Sequence, residues 1–382
     1  MRRRSLGVAV LAAAVAALAP SAASAATWSA STPVDPSGAS ASGLSGVSCT
    51  ASTNCEAVGS TDGAALIERY SSGTWSQQTA ATPPAGTVSS ALDGVGCSAS
   101  NACTAVGNYD DGSSTWALAE RWTTAWALQT FPRPSGAQSS QLSGVACVTS
   151  TYCLAVGGYV DRSGVQQPLA ATWNGTSWAL QTVPLVSGST GTALSGVTCA
   201  STTSCEVVGS YLDRTNTPFP TAAAYNGVST WTLQSVPTPR GASATFISGL
   251  SCTSASACTA VGYATNATSV FAVAERWNGT GWAEQTLASA PAGSTGSALI
   301  GVSCTTSTTC NAVGYYIDSA GKQRSYSQTW TPWTVVSTPN PSVFDAAAVN
   351  GISCTSSTAC ISVGYFYDTS FSLLHPLAQR YS

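Results

Sequence analysis

Residues 142–157 read Leu-Ser-Gly-Val-Ala-Cys-Val-Thr-Ser-Thr-Tyr-Cys-Leu-Ala-Val-Gly, and this stretch decides the fold. Its pattern is an apolar residue, any residue, Gly, an apolar residue, any residue and Cys, then five residues, Cys, two residues and Val-Gly. Copies begin at Leu44, Leu92, Leu142, Leu194, Ile247, Leu299 and Val349. Their first cysteines are 48, 50, 52, 53, 52 and 50 residues apart. A period of about 50 residues is typical of repeat architectures such as propellers.

Each copy divides into four short strand-like segments, which we call A to D. In the third copy they are residues 142–147, 153–159, 169–173 and 178–183. Asn174-Gly175 separates C from D, and Asn-Gly between two such segments is a strong hairpin signal because both turn residues need positive φ. Four antiparallel strands per repeat are typical of a propeller blade. The sequence therefore predicts an all-β, seven-bladed β-propeller with four antiparallel strands per blade.

The two ends of the chain predict how the ring closes. The seventh copy stops after a strand C at residues 377–381, so it lacks a strand D. Residues 27–33, near the other end, resemble the strand D segments that begin at Trp75, Trp126 and Trp178. We expect this N-terminal strand to complete the last blade, which would leave no open sheet edge.

The first 25 residues have the features of a secretory signal peptide. Three arginines at positions 2–4 precede an apolar run from Leu6 to Ala19 and an Ala-Ser-Ala sequence ending at Ala25. The run is shorter than the ~20 residues needed to span a bilayer. We therefore predict a signal peptide at 1–25, a single propeller domain at 26–382, and a secreted, extracellular monomer without a membrane anchor.

The fourteen cysteines form seven Cys-x5-Cys pairs, for which we considered disulfides, zinc ligation and redox catalysis. Zinc sites use closer spacing, usually with histidine, and the chain has one histidine. Redox enzymes usually use Cys-x-x-Cys, which the sequence lacks. A pair that flanks a hairpin turn brings its Cβ atoms close, and secretion favours oxidation. The predicted disulfides are Cys49–Cys55, Cys97–Cys103, Cys147–Cys153, Cys199–Cys205, Cys252–Cys258, Cys304–Cys310 and Cys354–Cys360.

Charge limits the partners. Only 8% of residues are charged, the net charge is −3, and no basic block follows position 4. This composition provides no electrostatic surface for nucleic acid. We expect neither a nucleic-acid partner nor a cofactor or metal.

The repeats resemble those of secreted actinobacterial proteins that look like propellers of the kelch and sialidase superfamilies. The residues that carry this resemblance are Gly46 to Thr50, Gly301 to Thr305 and Glu275 to Thr280. The resemblance covers residues 27–382 and implies a propeller outside the cytoplasm. It implies almost nothing about activity, because such proteins are largely uncharacterised. The Asp-box of sialidases is missing, since the C–D turn here is Asn-Gly-Thr-x-Trp.

No set of residues in the sequence stands out as catalytic. His375 is the only imidazole, and repetition of Glu-Arg on strand C favours contacts between blades over a single active site. The sequence therefore favours a non-enzymatic binding or scaffold protein that presents one propeller face to a glycan, peptide or cell-envelope component. The alternative is a polysaccharide-directed lyase or hydrolase that uses Tyr, His375 and an Asp at the channel mouth.

The B–C connections vary between repeats and lie on one face of the predicted ring, where function usually resides. Several begin Gly-x-x-x-Asp with Tyr two residues after the Gly. We predict that a ring of side chains there binds a polar ligand; the alternative is that the aspartates serve only turn formation. The predicted ligand-binding residues are Tyr159, Asp161, Arg162, Tyr211, Asp213, Arg214, Tyr316, Asp318, Arg324 and His375.

Overall fold

The computed structural model describes residues 26–330, 332–342, 344–369 and 372–382; the predicted signal peptide lies outside these ranges. Within them the chain forms 28 β-strands, which confirms the all-β prediction. Strands A are β2 (Ser42–Ala51), β6 (Ser89–Ala99), β10 (Ser139–Thr149), β14 (Gly191–Ser201), β18 (Ala244–Ser254), β22 (Gly296–Thr306) and β26 (Ala346–Ser356). Strands B are β3 (Asn54–Thr61), β7 (Ala102–Asp110), β11 (Tyr152–Val160), β15 (Ser204–Leu212), β19 (Ala257–Thr265), β23 (Thr309–Ile317) and β27 (Ala359–Tyr367).

The outer strands are shorter. Strands C are β4 (Ala64–Ser71), β8 (Thr115–Trp122), β12 (Gln166–Trp173), β16 (Pro218–Tyr225), β20 (Val270–Trp277), β24 (Gln323–Trp330) and β28 (Leu374–Tyr381). Strands D are β5 (Thr74–Gln78), β9 (Trp126–Leu128), β13 (Trp178–Gln181), β17 (Trp231–Gln234), β21 (Trp282–Glu284) and β25 (Thr334–Val336), with β1 (Trp28–Ser31) serving repeat 7.

The number of sheets corrects the predicted architecture. The described strands form six hydrogen-bonded sheets: five have four strands in the order A-B-C-D, and one has eight. The eight-stranded sheet contains both repeat 6 and repeat 7, which a parallel bridge between Gln323 of β24 and Ala346 of β26 joins. The prediction of seven separate blades is therefore wrong. Counting repeats misses this because the joining contact depends on how two adjacent repeats meet in space.

Strands A form the innermost ring of the propeller, where glycines allow the closest approach. A Cβ added to Gly94 would lie 3.0 Å from the Cα of Gly144, and one added to Gly351 would lie 3.2 Å from the Cα of Gly46. The last repeat thus packs directly against the first. A side chain at these positions would force neighbouring strands apart, because real Cβ contacts are rarely so short.

Side-chain hydrogen bonds also link neighbouring strands A. The amide of Cys97 donates to Ser48 Oγ at 3.1 Å, and the amide of Cys49 donates to Ser353 Oγ at 3.0 Å. The second bond connects repeat 1 to repeat 7. The same type of hydrogen bond, from a cysteine amide to a serine hydroxyl, therefore links repeats within the ring and across the two ends of the chain.

The N-terminal strand completes repeat 7, as its sequence suggested. β1 pairs antiparallel with β28, with Trp28 opposite Tyr381. The Thr27 and Ser382 backbones exchange two hydrogen bonds of 3.1 and 3.2 Å. The Trp28 side chain is 7% exposed and contacts the Tyr381 ring, with 5.2 Å between ring centroids.

All seven predicted disulfides are present, each with Cα atoms 3.9–4.0 Å apart. Arginines of strand C make the contacts between neighbouring repeats. Arg69 lies over the Trp122 ring and Arg276 over the Trp330 ring, at 4.6 and 4.2 Å from the centroids. The strand C and D aromatic rings are therefore mainly structural.

Buried acids or amides on strand C hold the entering loop in repeats 1, 2, 6 and 7. Glu68 accepts a hydrogen bond from the Val34 amide and Glu120 accepts one from the Ala81 amide, both at 2.8 Å. Val34 and Ala81 each lie six residues after the tryptophan of the preceding strand D.

In repeats 3, 4, 5 and 7 the residue six positions after the tryptophan is proline and has no N–H, and repeats 3 and 4 have Ala171 and Ala223 in place of the strand C acid or amide. In repeat 7, Gln379 instead donates from Nε2 to the Pro339 carbonyl at 2.6 Å. In repeat 5, opposite Pro237, both carboxyl oxygens of Glu275 are buried without a hydrogen-bond partner. Burial, and then the nearby charge of Glu284, raise the pKa of Glu275 to about 8.

We expect Glu275→Gln to stabilise the protein by about 1–3 kcal/mol at pH 8, because an amide can donate to the Pro237 carbonyl and carries no charge to bury. The measurement is the midpoint of thermal or urea unfolding. Gln379→Glu is the reciprocal control and should destabilise to a similar extent. A lower or unchanged midpoint for Glu275→Gln would contradict this account.

Candidate functional site

The predicted aspartates of the B–C loops are engaged by their own loops. Asp161 Oδ1 accepts from the Ser163 and Val165 amides, at 2.8 and 3.1 Å. Asp213 accepts from the Thr215 amide and hydroxyl, both at 2.7 Å. These bonds lower the pKa of both carboxyls, with the Val165 amide and the Thr215 hydroxyl having the largest effects. The two aspartates therefore fix loop shape and have little remaining capacity for a ligand.

The loop of repeat 6 has the same construction with an added ion pair. Asp318 accepts from the Ala320 and Lys322 amides at 2.9 Å and from Arg324 Nε at 2.6 Å. Hydrogen bonding, first from Lys322 and then from Arg324, lowers the pKa of Asp318. Arg324 also lies over the Phe344 ring, so it is held from two sides.

The predicted tyrosines, two residues after the strand B glycine, turn toward the preceding repeat. Tyr159 packs against a cluster that includes Val106 of repeat 2, and Tyr316 packs against one that includes Val261 of repeat 5. Tyr211 is half-buried and stacks on Phe219 with 5.8 Å between ring centroids. All three side chains contribute to packing.

Arg162 and Arg214 are exposed and sit against glycines of the loops that enter repeats 3 and 4. A Cβ on Gly136 would lie 2.4 Å from Arg162 Nε, and one on Gly188 would lie 3.6 Å from Arg214 Nε. Among the described residues, neither guanidinium donates a hydrogen bond to the protein. These two are the members of the predicted set whose charged groups remain open to a ligand.

His375 lies at the junction between repeats 7 and 1. Its Nδ1 is 2.5 Å from Asp35 Oδ2, and its ring stacks on Phe366 with 4.9 Å between centroids. Both side chains line a cavity of about 320 Å³. Tyr159 lines a different cavity, of about 250 Å³, between repeats 2 and 3. The predicted residues are thus divided between separate places on this face.

A cluster that the sequence analysis missed lies one residue earlier on strand B. The residues directly after the strand B glycine are Ser60, Asn108, Gly158, Ser210, Tyr263, Tyr315 and Tyr365. We call the last three the tyrosine crescent. Burial, and then the proximity of Tyr263 and Tyr365, raise the pKa of Tyr315, so the three phenols of consecutive repeats lie near one another.

The strand register places the tyrosine crescent beside the innermost strands. The three tyrosines stand opposite Phe246, Ala298 and Ala348 on the innermost strands. These positions lie between the close-packed glycines of strands A and the B–C loops. Across the junction, a Cβ on Gly43 would be 3.4 Å from the Tyr365 Cβ, so Tyr365 reaches the strand A of repeat 1.

The tyrosine crescent is partly buried, and its hydroxyls are not used by the described part of the protein. Each tyrosine is partly exposed, and within the described ranges none of the three hydroxyls has a protein hydrogen-bond partner or is buried. The Tyr263 ring stacks on Phe246 with 5.0 Å between centroids, and Tyr365 meets Tyr367 edge-on at 6.0 Å. Aromatic contacts therefore fix the Tyr263 and Tyr365 rings, while the three hydroxyls remain available.

Two polar side chains of strands A and B are held by hydrogen bonds within the protein. Asn350 Nδ2 donates to the Leu44 carbonyl at 3.1 Å, and Asn108 Nδ2 donates to Asp93 Oδ2 at 3.3 Å. Burial raises the pKa of Asp93. Among the described residues, no group of three or more His, Cys, Asp and Glu side chains is arranged to hold a metal ion.

No protein-family model matches the sequence, and no curated protein matches it. Solved structures of similar shape include the lectin of Aleuria aurantia, described as a six-bladed β-propeller, with 10% identity, a TM-score of 0.46, and coverage of 78% of this chain and 97% of that chain. The Hadza microbial sialidase Hz136 has 9% identity, a TM-score of 0.45, and coverage of 90% and 66%. A protein of unknown function from Dyadobacter fermentans has 9% identity, a TM-score of 0.47, and coverage of 93% and 98%. At these identities and TM-scores, we transfer no property of those proteins to this chain.

The described part of the chain contains no helix that is long and apolar enough to cross a membrane.

Proposed function

We propose that this chain is an extracellular, non-enzymatic carbohydrate-binding protein that holds a neutral saccharide on the tyrosine crescent. The observation that carries the proposal is the crescent itself: three partly exposed tyrosines on consecutive repeats, with hydroxyls that the protein does not use.

The fold does not require tyrosine at these positions. Four of the seven repeats have Ser, Asn, Gly or Ser at the same place on strand B, with the same strand pairing. Exposed aromatic residues without a packing requirement are typical of binding surfaces. We therefore attribute the three tyrosines to a ligand.

The chemistry of the crescent favours a saccharide. Aromatic rings offer flat apolar faces for the C–H faces of a pyranose, and the phenol hydroxyls can donate to or accept from sugar hydroxyls. A few convergent polar groups on an apolar surface are the usual composition of a ligand site. The chain is only 8% charged, which favours a neutral ligand over a polyelectrolyte.

The sequence-predicted residues on the loop face form a second, outer set of contacts in this proposal. Arg162 and Arg214 offer free guanidinium groups to sugar hydroxyls, and Arg324 and His375 contribute where a longer ligand crosses repeats 6 and 7. Tyr159, Tyr211, Tyr316, Asp161, Asp213 and Asp318 shape the loops that carry these groups.

Secretion is part of the proposal. Seven disulfides suit an oxidising, extracellular compartment, since cytosolic proteins usually keep their thiols reduced.

The test is titration calorimetry of the purified protein with cellohexaose, chitohexaose, xylohexaose and mannohexaose. We expect at least one to bind and Tyr315→Ala to weaken that binding by about tenfold, since an aromatic contact contributes ~0.5–1.5 kcal/mol beyond its buried area. Tyr315→Phe keeps the ring and should have a smaller effect. Ser60→Ala, at the same register in repeat 1, is the matched control and should leave affinity unchanged.

A second comparison separates the crescent from the outer loops. The triple variant with Arg162, Arg214 and Arg324 replaced by Ala should weaken a hexasaccharide more than a disaccharide. Chromatography of the recovered ligand distinguishes binding from hydrolysis or lyase cleavage, because a binding protein returns the oligosaccharide intact. Full affinity in both the Tyr315→Ala and the triple arginine variants would overturn the proposed site, and shortened products would overturn the non-enzymatic assignment.

A further inference from the structure

The junction between repeats 7 and 1 contains a cavity that differs in chemistry from the tyrosine crescent. It encloses about 320 Å³ between the N-terminal segment, the loop before β26 and the start of β28. Four prolines line it, namely Pro33, Pro339, Pro341 and Pro376, together with Leu377 and the rings of Phe366 and His375. Its walls are therefore largely apolar and are stiffened by proline.

Side chains fill the equivalent space in two other repeats. In repeat 2, Arg133 of the following loop lies 3.6 Å above the Trp116 ring and donates to the Tyr109 hydroxyl. In repeat 6, Phe344 of the following loop lies against Arg324. After repeat 7 the following loop is the N-terminal segment, and its Asp35 contacts the His375 edge at Nδ1. The space beside the imidazole is left open.

The contacts of His375 define one directed polar atom in this cavity. The contact with Asp35 occupies Nδ1, which in the neutral imidazole leaves Nε2 as the acceptor, because a carboxylate oxygen accepts hydrogen bonds. Phe366 fixes the ring plane by stacking. Nε2 then presents a lone pair and, within the described ranges, has no protein partner.

We propose that this junction cavity is a second binding site, for a single aromatic or alicyclic ring that carries one O–H or N–H donor, with the donor on His375 Nε2. A flat ring matches the proline and phenylalanine walls, and a donor matches Nε2, the ring nitrogen that Asp35 does not contact. Cavities of this size hold small rings and need few polar groups to orient them. The site shares no residue with the tyrosine crescent, and of the proposed outer contacts it includes only His375.

The experiment uses 4-methylphenol as the probe and measures binding to the full chain by ligand-observed NMR, with toluene as the probe that lacks a donor. We expect 4-methylphenol to bind about tenfold more tightly than toluene, the difference that one hydrogen bond provides. His375→Phe keeps the stack on Phe366 and should bring the two probes to equal affinity.

Two further variants localise the probe. Thr32→Trp places a large side chain at the cavity wall and should abolish binding, whereas Ser37→Trp, an exposed position in the same segment outside the cavity, should not. Tyr315→Ala should bind 4-methylphenol normally, which separates this site from the crescent. Binding that survives in Thr32→Trp, equal affinities for the two probes in the unmodified protein, or no binding at millimolar probe would each overturn the proposal.

Discussion

Deletion of Ala26–Pro36, with residues 1–25 kept, should lower the melting temperature by roughly 10 °C and cause aggregation. Loss of a buried tryptophan costs about 3–5 kcal/mol, and in a large domain each kcal/mol corresponds to about 2–4 °C. The deletion removes Trp28 from the Tyr381 and Leu377 core and leaves β28 as an unpaired edge. Unpaired edges promote association between chains.

The same deletion also releases contacts with repeat 1. Ser31 Oγ accepts from Trp75 Nε1 at 2.8 Å, and the Val34 amide is the donor to buried Glu68. Glu68 would then be a buried carboxyl without that hydrogen bond, as Glu275 is in repeat 5. The loss of stability on deletion should therefore exceed the loss expected from breaking the four residue pairs between β1 and β28 alone.

Graded variants measured by calorimetry and light scattering test the cause. Trp28→Ala keeps the backbone pairing and should account for about half of the loss in melting temperature, whereas Trp28→Phe should lose less. Thr27→Ala alters an exposed side chain in the same segment and should be silent. An unchanged melting temperature after the deletion would show that β1 does not secure the ring.

The predictable part of the fold is local. Cys147 and Cys153 face each other across a hairpin only six residues apart, so spacing alone predicted their bond. The N-terminal strand was recognisable because Trp28 repeats the strand D pattern of Trp75 and Trp126. The merged sheet could not be predicted, since the bridge between Gln323 and Ala346 depends on how two repeats meet in space.

The sequence-based prediction placed the candidate site one residue away from the tyrosine crescent, for a similar reason. Alternation along a strand shows that Tyr315 and Tyr316 point to opposite faces. Sequence spacing does not tell which face meets the preceding repeat and which meets the following repeat. The structure assigns Tyr316 to packing and Tyr315 to the crescent. His375 and Asp35, 340 residues apart, had no sequence signal for their contact.

Stability should also depend strongly on pH, with a maximum near pH 4.5–5.5 and a fall toward pH 8.5. Burial raises the pKa of Glu68 and Glu120 to about 7 and that of Glu206 and Glu275 to about 8. All four side chains are at most 5% exposed. Above the unfolded-state pKa of 4.5, the unfolded chain releases these protons while the folded chain retains them. The contribution of these four glutamates to stability is therefore fully present below pH 4.5 and is lost as the pH rises through 7 to 8.

The size of this loss follows from linkage. One pKa unit corresponds to about 1.4 kcal/mol, so a shift of a single unit at all four glutamates would remove roughly 5 kcal/mol. The loop aspartates set the acidic limit, since hydrogen bonds lower the pKa of Asp161, Asp213 and Asp318 in the folded state. Their contribution is present above pH 4 and is lost on further acidification.

Unfolding free energies measured by urea titration at pH 5 and pH 8.5 test this prediction. In the triple variant Glu68→Gln, Glu120→Gln and Glu275→Gln, an amide replaces each carboxyl, as Gln328 does in repeat 6. Gln328 accepts from the Ala288 amide at 3.1 Å and donates to the Ala288 carbonyl at 2.9 Å, which shows that an amide satisfies the same loop without a titrating group.

The unfolding free energy of the triple variant should therefore fall much less between pH 5 and 8.5 than that of the unmodified protein, while the variant keeps its stability at pH 5. Glu284→Gln, at an exposed carboxylate opposite Glu275, is the control and should leave most of the decline in place. Equal stability of the unmodified protein at the two pH values would contradict this account, because it would mean that the buried glutamates ionise in the folded state without a free-energy cost. Their lack of cationic partners argues against that.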